Sequence, residues 1–322
     1  MAKKLIKTRG RRPSNLIIFQ HNKLIEARYS LTLQEKRLIL WLASQIKPND
    51  QDFETHRISV TNLCELLEID PTGAYSRIRN AIERLKERSV TIQNMDEKSL
   101  TFISFIDYGK YWYGDGYVDL KFSSELRPFL INLKKNFTAL PLNNLMQFKS
   151  IYAIRIYELL KQKQTLGERA LKIDDLRKLL GISTKEYKKY NDFKRFVLNI
   201  SQREINEKSD IWIEFEEIKE GRKVHEIGFR INKNPNFGLS DEEKNRRALL
   251  QHLKQERKGR SAFIEEVCEL GFSKATVYKF LKQTDEESLR KALAVVNLQI
   301  SKGQARNPKA LFKSALKNGW DT

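Results

Sequence analysis

Residues 172–182 read KIDDLRKLLGI, residues 190–210 read YNDFKRFVLNISQREINEKSD, and residues 211–231 read IWIEFEEIKEGRKVHEIGFRI. With the polar turn between the first two, this predicts helix, turn, helix, then two strands joined by a basic hairpin: a winged helix. In the second helix Phe193, Phe196, Val197 and Ile200 fall at i, i+3, i+4 and i+7, one face of an α-helix. At about 100° per residue, Lys188, Asn191, Arg195, Asn199 and Gln202 take the opposite face, flanked by Lys194 and Arg203. Core on one side and hydrogen-bond donors on the other is what a major-groove reading helix needs. A solvated surface helix has the same pattern, so this helix alone does not decide.

A second copy upstream decides it. VTNLCELLEI at 60–69 and AYSRIRNAIERLKERS at 74–89 repeat the arrangement. Leu63, Leu66, Leu67 and Ile69 match Leu176, Leu179, Leu180 and Ile182 at one fixed offset, as do Ile58 and Val60 with Leu171 and Ile173. Ile78, Ala81, Ile82 and Leu85 correspond to Phe193, Phe196, Val197 and Ile200, two residues further on. The preceding helices, RLILWLASQI at 37–46 and IRIYELLKQK at 154–163, recur too. Chance amphipathic helices do not keep order, spacing and following strands together. A repeat this long means two copies of one domain, not a solenoid. Strands are expected at 90–93, 100–108 and 116–121. In the first copy Ser76, Arg77, Asn80 and Arg84 lie opposite the apolar face. Arg79 and Arg88 are better placed to pair with Glu83 and other acids.

The 322 residues carry 60 Lys and Arg against 41 Asp and Glu, a formal net charge of +19, which favours a polyanionic partner. No apolar run reaches the length of a membrane span. MAKKLIKTRGRRP, the start of the chain, lacks the apolar core of a secretion signal and reads as a basic disordered arm. A cytoplasmic protein is expected. Cys64 and Cys268 sit on apolar helix faces in different domains and are expected to be buried free thiols. Neither they nor the four histidines have zinc-ligand spacing, so no metal or other cofactor is expected.

In chain order, Thr32 and Glu35 have capping-box spacing at the start of a mostly buried helix with Leu38, Ile39, Trp41, Leu42 and Ile46. Leu24, Leu31 and Leu38 lie seven apart, but Thr32 breaks the helix a zipper would need, leaving core packing. Residues 122–150, poor in Gly and Ser, read as a packed connector with a helix over 126–133 and a short strand at 137–140. Beyond Ser240 only helices are expected: 241–258, 262–270, 274–282, 286–302 and 308–318. Gly271 and Gly303 fit C-terminal caps, and Asn307-Pro308 fits an N-cap followed by Pro at N1. GFSKATVYKFLKQ at 271–283 mimics a third helix-turn-helix. No wing follows it, which favours a partner-binding or capping module. The fold expected is α+β, with two tandem winged-helix domains and a small all-α C-terminal module. The boundaries are a basic arm at 1–14, a first winged helix at 15–142, a second, DNA-reading one at 143–234, and helices at 240–322.

NKLIEARYSLTLQEKRLILWLASQI at 22–46 resembles the opening of the initiator replication proteins of iteron-type plasmids. FKSIYAIRIYELLKQ at 148–162, followed by IDDLRKLLGI, YNDFKRFVLNISQREINEKSDI and EEIKEGRKVHEIGFRI, resembles that family's second winged helix. The resemblance runs from Asn15 to Ile231, with several segments in the family's order. It implies binding of duplex DNA at directly repeated origin sites (iterons), opening of a nearby AT-rich segment, and recruitment of a host replication initiator and the replicative helicase. It also implies a monomer–dimer balance, with repression of the protein's own gene at an operator. On this chain, Tyr190, Lys194 and Arg195 match the family's DNA-contacting segment, and 219–223 matches its wing. The helices after Ser240 lie outside the shared core.

The residue chemistry assigns roles. Arg195 can bridge guanine O6 and N7, while Asn199 and Gln202 have the geometry for adenine. Lys188, Lys189 and Lys194 suit phosphates, as does Tyr190 unless its ring packs at the helix start; Arg203 flanks the donor face. Arg222 and Lys223 sit on the wing, facing backbone or minor groove. No catalytic residues are expected: the phosphate loop G-x-x-x-x-G-K-[ST] is missing, and no H-x-H pair accompanies a tyrosine. Tyr108, Tyr111 and Tyr113 are read as strand packing. The alternatives are a transcriptional repressor without a replication role, a DNA-nicking replication enzyme, and a structural bridge to host proteins.

Overall fold

The computed structural model describes residues 16–47, 49–94 and 98–318; the basic arm at 1–14 lies outside them. The chain divides into two compact units at Phe237/Gly238. The first contains β1 (Ile17–His21), α1 (Asn22–Ile25), α2 (Leu33–Ala43), β2 (His56–Ser59), α3 (Val60–Leu67), α4 (Ala74–Glu87), β3 (Ser89–Asn94), β4 (Ser99–Ser104), β5 (Ile106–Trp112) and β6 (Tyr117–Phe122). A connector follows with α5 (Arg127–Leu130), β7 (Phe137–Pro141) and α6 (Leu142–Gln147). Then come α7 (Ile151–Lys161), β8 (Glu168–Lys172), α8 (Ile173–Leu179), a reading helix α9 (residues 190–208), β9 (Ile211–Glu220) and β10 (Lys223–Lys233).

The duplication is visible in the sheets. One three-stranded sheet has the order β2-β6-β5 and the other β8-β10-β9, so in both the last strand lies between the other two. Each order is helix, strand, two helices, then a hairpin, which makes both copies winged helices. Matched core positions take matched places: Leu63 and Leu176 are buried, as are Leu67 and Leu180. Thr32 and Glu35 form the capping box at α2, and Leu24, Leu31 and Leu38 are all buried in the core.

Three expectations about elements are corrected. The strand expected over 100–108 is two strands: β4 pairs with β3, and β5 pairs with β6 in another sheet. The break falls at Phe105, which is buried edge-on to Tyr29, 5.3 Å away. The helix expected over 126–133 is a 3₁₀ turn (Ser124–Leu126) followed by α5, which ends where Ile131 becomes extended, with Asn132 at φ 54 next. Cys64 is buried, but Cys268 is only half-buried.

The reading helix itself departs from a regular α-helix. Residues Lys194–Leu198 form a π turn between Tyr190–Phe193 and Asn199–Lys208. Bonding from i to i+5 inserts one residue into the repeat and turns the following helix by about 100°. The buried face becomes Phe193, Val197, Leu198, Ser201, Glu204 and Ile205. Phe196, expected in the core, is 42% exposed, and Ile200 is half-buried.

The two winged helices share one continuous core and one buried ion cluster. Glu158 on α7 receives Lys36 of α2 at 2.7 Å and Arg155 at 2.7 Å, all three side chains being almost wholly buried. Arg155 also donates to the carbonyls of Ile25, Ala27 and Leu179, and its guanidinium stands 4.2 Å from the centre of the Tyr29 ring. Lys36 donates to the Tyr29 hydroxyl at 2.8 Å. Arg169 of β8 reaches Glu26 at 2.8 Å. Gly181, between α8 and α9, has φ +68, and a Cβ there would sit 2.3 Å from the carbonyl oxygen of Tyr29.

The described residues of the second unit form α10 (Asp241–Glu269), α11 (Lys274–Gln283), α12 (Glu286–Ser301) and α13 (Pro308–Asn318). The break expected after residue 258 is absent, and α10 runs through Gly259. A glycine inside a long helix costs about 1 kcal/mol relative to alanine without ending it. Gly271 and Gly303 take positive φ at helix ends, and Asn307 caps α13 through the Ala310 amide. No described helix is long and apolar enough to cross a membrane.

Removing the anion tests the junction. Glu158→Gln leaves two buried cations without their charge partner and should destabilise the first unit by about 3–5 kcal/mol in urea melts. An unchanged midpoint would show that the cluster does not hold the domains. Burial alone would raise the Glu158 carboxyl, but Lys36 and Arg155 outweigh it and hold it below its ordinary value. A depressed acid stabilises the fold above its unfolded value of about 4.3, and that stability is lost as pH falls through the lower folded value. Glu158→Gln should flatten this acid limb.

Candidate nucleic-acid interface

Each reading helix is positioned by the polar turn before it. In the second copy Arg177 of α8 donates to the carbonyls of Ser183, Glu186 and Tyr187, with its guanidinium 5.4 Å from the centre of the Phe193 ring. It therefore fastens the turn to both helices. Sequence reasoning passed over Arg177, whose only signal was a cation on the turn-facing end of the first helix. In the first copy Gly73 at φ 70 opens α4, with the Ser76 hydroxyl donating to its carbonyl at 3.1 Å.

On α9, Asn191, Arg195, Asn199 and Arg203 are all exposed and lie four apart, and the residue inserted by the π turn brings them into one donor row. Lys188 and Lys189 are exposed just before it. Arg195 lies 5.1 Å from the centre of the Phe196 ring, and that contact keeps its charged head at the surface. The wing turn is Gly221-Arg222, with Gly221 at φ 62 as a two-residue hairpin requires. Arg222 and Lys223 at its tip are exposed.

Three expected contact residues are otherwise engaged. Gln202 donates its amide to the Ile213 carbonyl at 3.1 Å, because the π turn rotates it toward β9. It does not stand in the donor row, which corrects its assignment to adenine. Tyr190 donates to Glu217 at 2.9 Å and Lys194 pairs with the same carboxylate at 2.7 Å. The Lys194 contact, helped by Tyr190, holds the Glu217 carboxyl below its ordinary value against some desolvation. Burial, with the bond to Glu217, pushes the Tyr190 hydroxyl up, so it stays a neutral donor. Together they tie the start of α9 to the first wing strand.

In the first copy Ser76, Arg77, Asn80 and Arg84 are exposed along α4. Arg84 is drawn to the buried Glu35 at 3.2 Å, with Arg88 at 3.6 Å on the other oxygen, and Arg79 pairs with Glu83 at 3.7 Å. Arg77 and Asn80 are thus the better-placed donors. Tyr108, Tyr111 and Tyr113 were read as strand packing, but Tyr108 is exposed and Tyr113 is 76% exposed; Tyr75, at the start of α4, is exposed too. Tyr75 and Tyr113 both meet Tyr111 edge-to-face, and the Tyr111 hydroxyl is buried. Their signal was the YGKYWYGDGY run, where glycines at 114 and 116 with positive φ turn the hairpin outward. Among the described residues no group of His, Cys, Asp and Glu could hold a metal ion.

Tandem winged helices with exposed cationic reading helices define a DNA-binding protein. Two family models match the chain: "Initiator Replication protein, WH1" over residues 17–161 and "Initiator Rep protein, WH2" over 172–231. The chain belongs to this family of replication initiators. It is 28% identical over 244 residues to a replication initiation protein of Escherichia coli, covering 72% of this chain and 74% of that one. It is 24% identical over 249 residues to the PI protein of Escherichia coli, covering 66% and 82%. The crystal structure of the Pi initiator protein in complex with iteron DNA shares its fold, with a TM-score of 0.56 at 22% identity, covering 69% of this chain and 99% of that one.

Arg195 is exposed beside Phe196 while Lys194 is paired with Glu217, so their variants should behave differently. Arg195→Ala should relax specificity at one base position, losing about 1–3 kcal/mol of discrimination there. Lys194→Ala frees Glu217 and loosens the helix start, so it should weaken all sequences alike. Binding selections on randomised sites with each variant measure this; identical profiles would overturn the division.

Proposed function

We propose that the chain initiates plasmid replication by binding directly repeated origin sequences in duplex DNA, opening the adjacent duplex and recruiting host replication factors. The observation that carries this reading is the pair of winged helices held on one core, each with exposed hydrogen-bond donors along its second helix. The relatives are replication initiation proteins, and one was crystallised with iteron DNA. Arg195, Asn199 and, in the first copy, Arg77 and Asn80 read bases. Lys188, Lys189, Arg203, Arg222 and Lys223 contact phosphates and set register. Tyr190 and Lys194 position the helix. Each reading helix enters one major groove, and adjacent grooves on one face lie about one turn apart, so a single chain covers roughly two turns of a repeat. The same binding at an operator represses the protein's own gene, with a monomer–dimer balance dividing the two roles.

The test is a footprint on DNA flanking the protein's own gene. Protection of direct repeats beside an AT-rich tract, about two turns per repeat, is expected. Protection of one turn only, by the intact chain, would count against tandem reading. If about eight phosphates are neutralised, log K against log salt should fall with a slope near −7. A slope shallower than about −2 would contradict an interface of this charge.

A further inference from the structure

The second unit contains a surface that the winged helices do not account for. Between the end of α10 at Glu269 and the start of α11 at Lys274 lie Leu270, Gly271, Phe272 and Ser273. A turn of three to four residues containing glycine joins the two helices of a helix-turn-helix. Gly271 takes φ +94, its amide donates to the Cys268 carbonyl at 2.9 Å, and the Ser273 hydroxyl caps α11 through the Thr276 amide at 3.3 Å. Phe272 is buried within the turn, its ring 5.4 Å from Phe280 and 5.6 Å from Phe312. Phe263 and Val267 of α10 and Val277 of α11 complete that core. The inner faces of both helices are therefore fixed.

Among the described residues, no ion pair or side-chain hydrogen bond engages the outer face of α11. Ala275, Tyr278, Lys279 and Lys282 fall at i, i+3, i+4 and i+7 and are all exposed. Neither α11 nor α13 contains an acidic residue. Lys309, Lys313 and Lys317 lie four apart along α13 and are exposed. The Lys309 and Lys313 ammonium groups stand 5.2 and 5.9 Å from the centre of the Phe272 ring, which sets a second cationic row beside the turn. The unit's nearby acids lie on other helices: Glu265, Glu266 and Glu269 on α10, and Glu286 and Glu287 at the start of α12, paired with Arg290 and Lys291.

We propose that this unit is a third DNA-binding element, a wingless helix-turn-helix whose α11 enters a major groove of duplex DNA. Lys279, Lys282, Lys313 and Lys317 neutralise phosphates, while Lys309 donates to the Gly271 carbonyl and holds the turn. Tyr278 and Ala275 face the bases, where a small apolar side chain can meet a thymine methyl. An acid-free helix flanked by a second lysine row fits a polyanion. The proposal presupposes that the chain docks on DNA, but it concerns a separate segment of the site.

Footprinting and salt titration of the full chain on repeat DNA with its flanks, compared with full-chain variants, test it. The unaltered chain should protect one segment beyond that covered by the winged helices. Lys279→Ala with Lys282→Ala should lose that segment, keep the other, and make the salt slope shallower by about 2. Lys279→Arg with Lys282→Arg should retain both, and Tyr278→Ala should abolish base preference within the extra segment only. Unchanged footprint and slope in the double alanine variant overturn the proposal. So does an acidic protein that binds this face while the footprint stays the same. Loss of the winged-helix segment with retention of the extra one would instead indict the reading of the winged helices, and no protection at all would overturn both.

Discussion

A single carboxylate, Glu158, is buried between a lysine from one winged helix and an arginine from the other. Charges so far from water are held only where geometry and further hydrogen bonds compensate their desolvation. Here the compensation is spread over both modules. Arg155 reaches two carbonyls ahead of α2 and one at the end of α8, Tyr29 places its ring and hydroxyl against the cations, and Gly181 lets the backbones meet. The consequence is positional: α8, which Arg155 touches, is the helix whose Arg177 fixes the turn ahead of α9.

That placement makes the reading surface a property of the pair of domains. Two reading helices fixed on one shared core leave less to be ordered at the moment of binding than two freely jointed modules would. The π turn adds a local adjustment. By displacing one residue it brings Asn191, Arg195, Asn199 and Arg203 into a row and turns Gln202 inward to the sheet. Such turns occur frequently at functional sites, and this one lies in the middle of the contact helix. Glu217 then collects Tyr190 and Lys194, so an acid on the wing strand organises the cationic end of the helix.

The second unit is built on different terms. Its described helices close around Phe272, Phe280 and Phe312, and lysines line the outer faces of α11 and α13. The glycine at 271 and the serine cap at 273 impose a sharp reversal, because an L-residue with a side chain is strained at φ +94.

Much of this was legible in the residues alone. The repeat of Leu63, Leu67 and Ile78 in Leu176, Leu180 and Phe193 required two similar domains, since periodicity reports which face is apolar and order reports topology. The capping box at Thr32, the glycine ends of the C-terminal helices and the exposure of Arg195, Arg222 and Lys223 were equally local. What the sequence could not express was any term depending on a distant partner. A regular 100° wheel puts Phe196 in the core and Gln202 outside, and only packing against β9 with an inserted residue reverses them. Arg84 reads as a donor until the fold buries Glu35 beside it, and Lys36, Arg155 and Glu158 read as ordinary charged helix residues until two domains close over them. Periodicity is written along the chain, but the neighbour that neutralises a buried charge is chosen by contacts more than a hundred residues apart, such as Lys36 with Glu158, and only the tertiary structure holds that information.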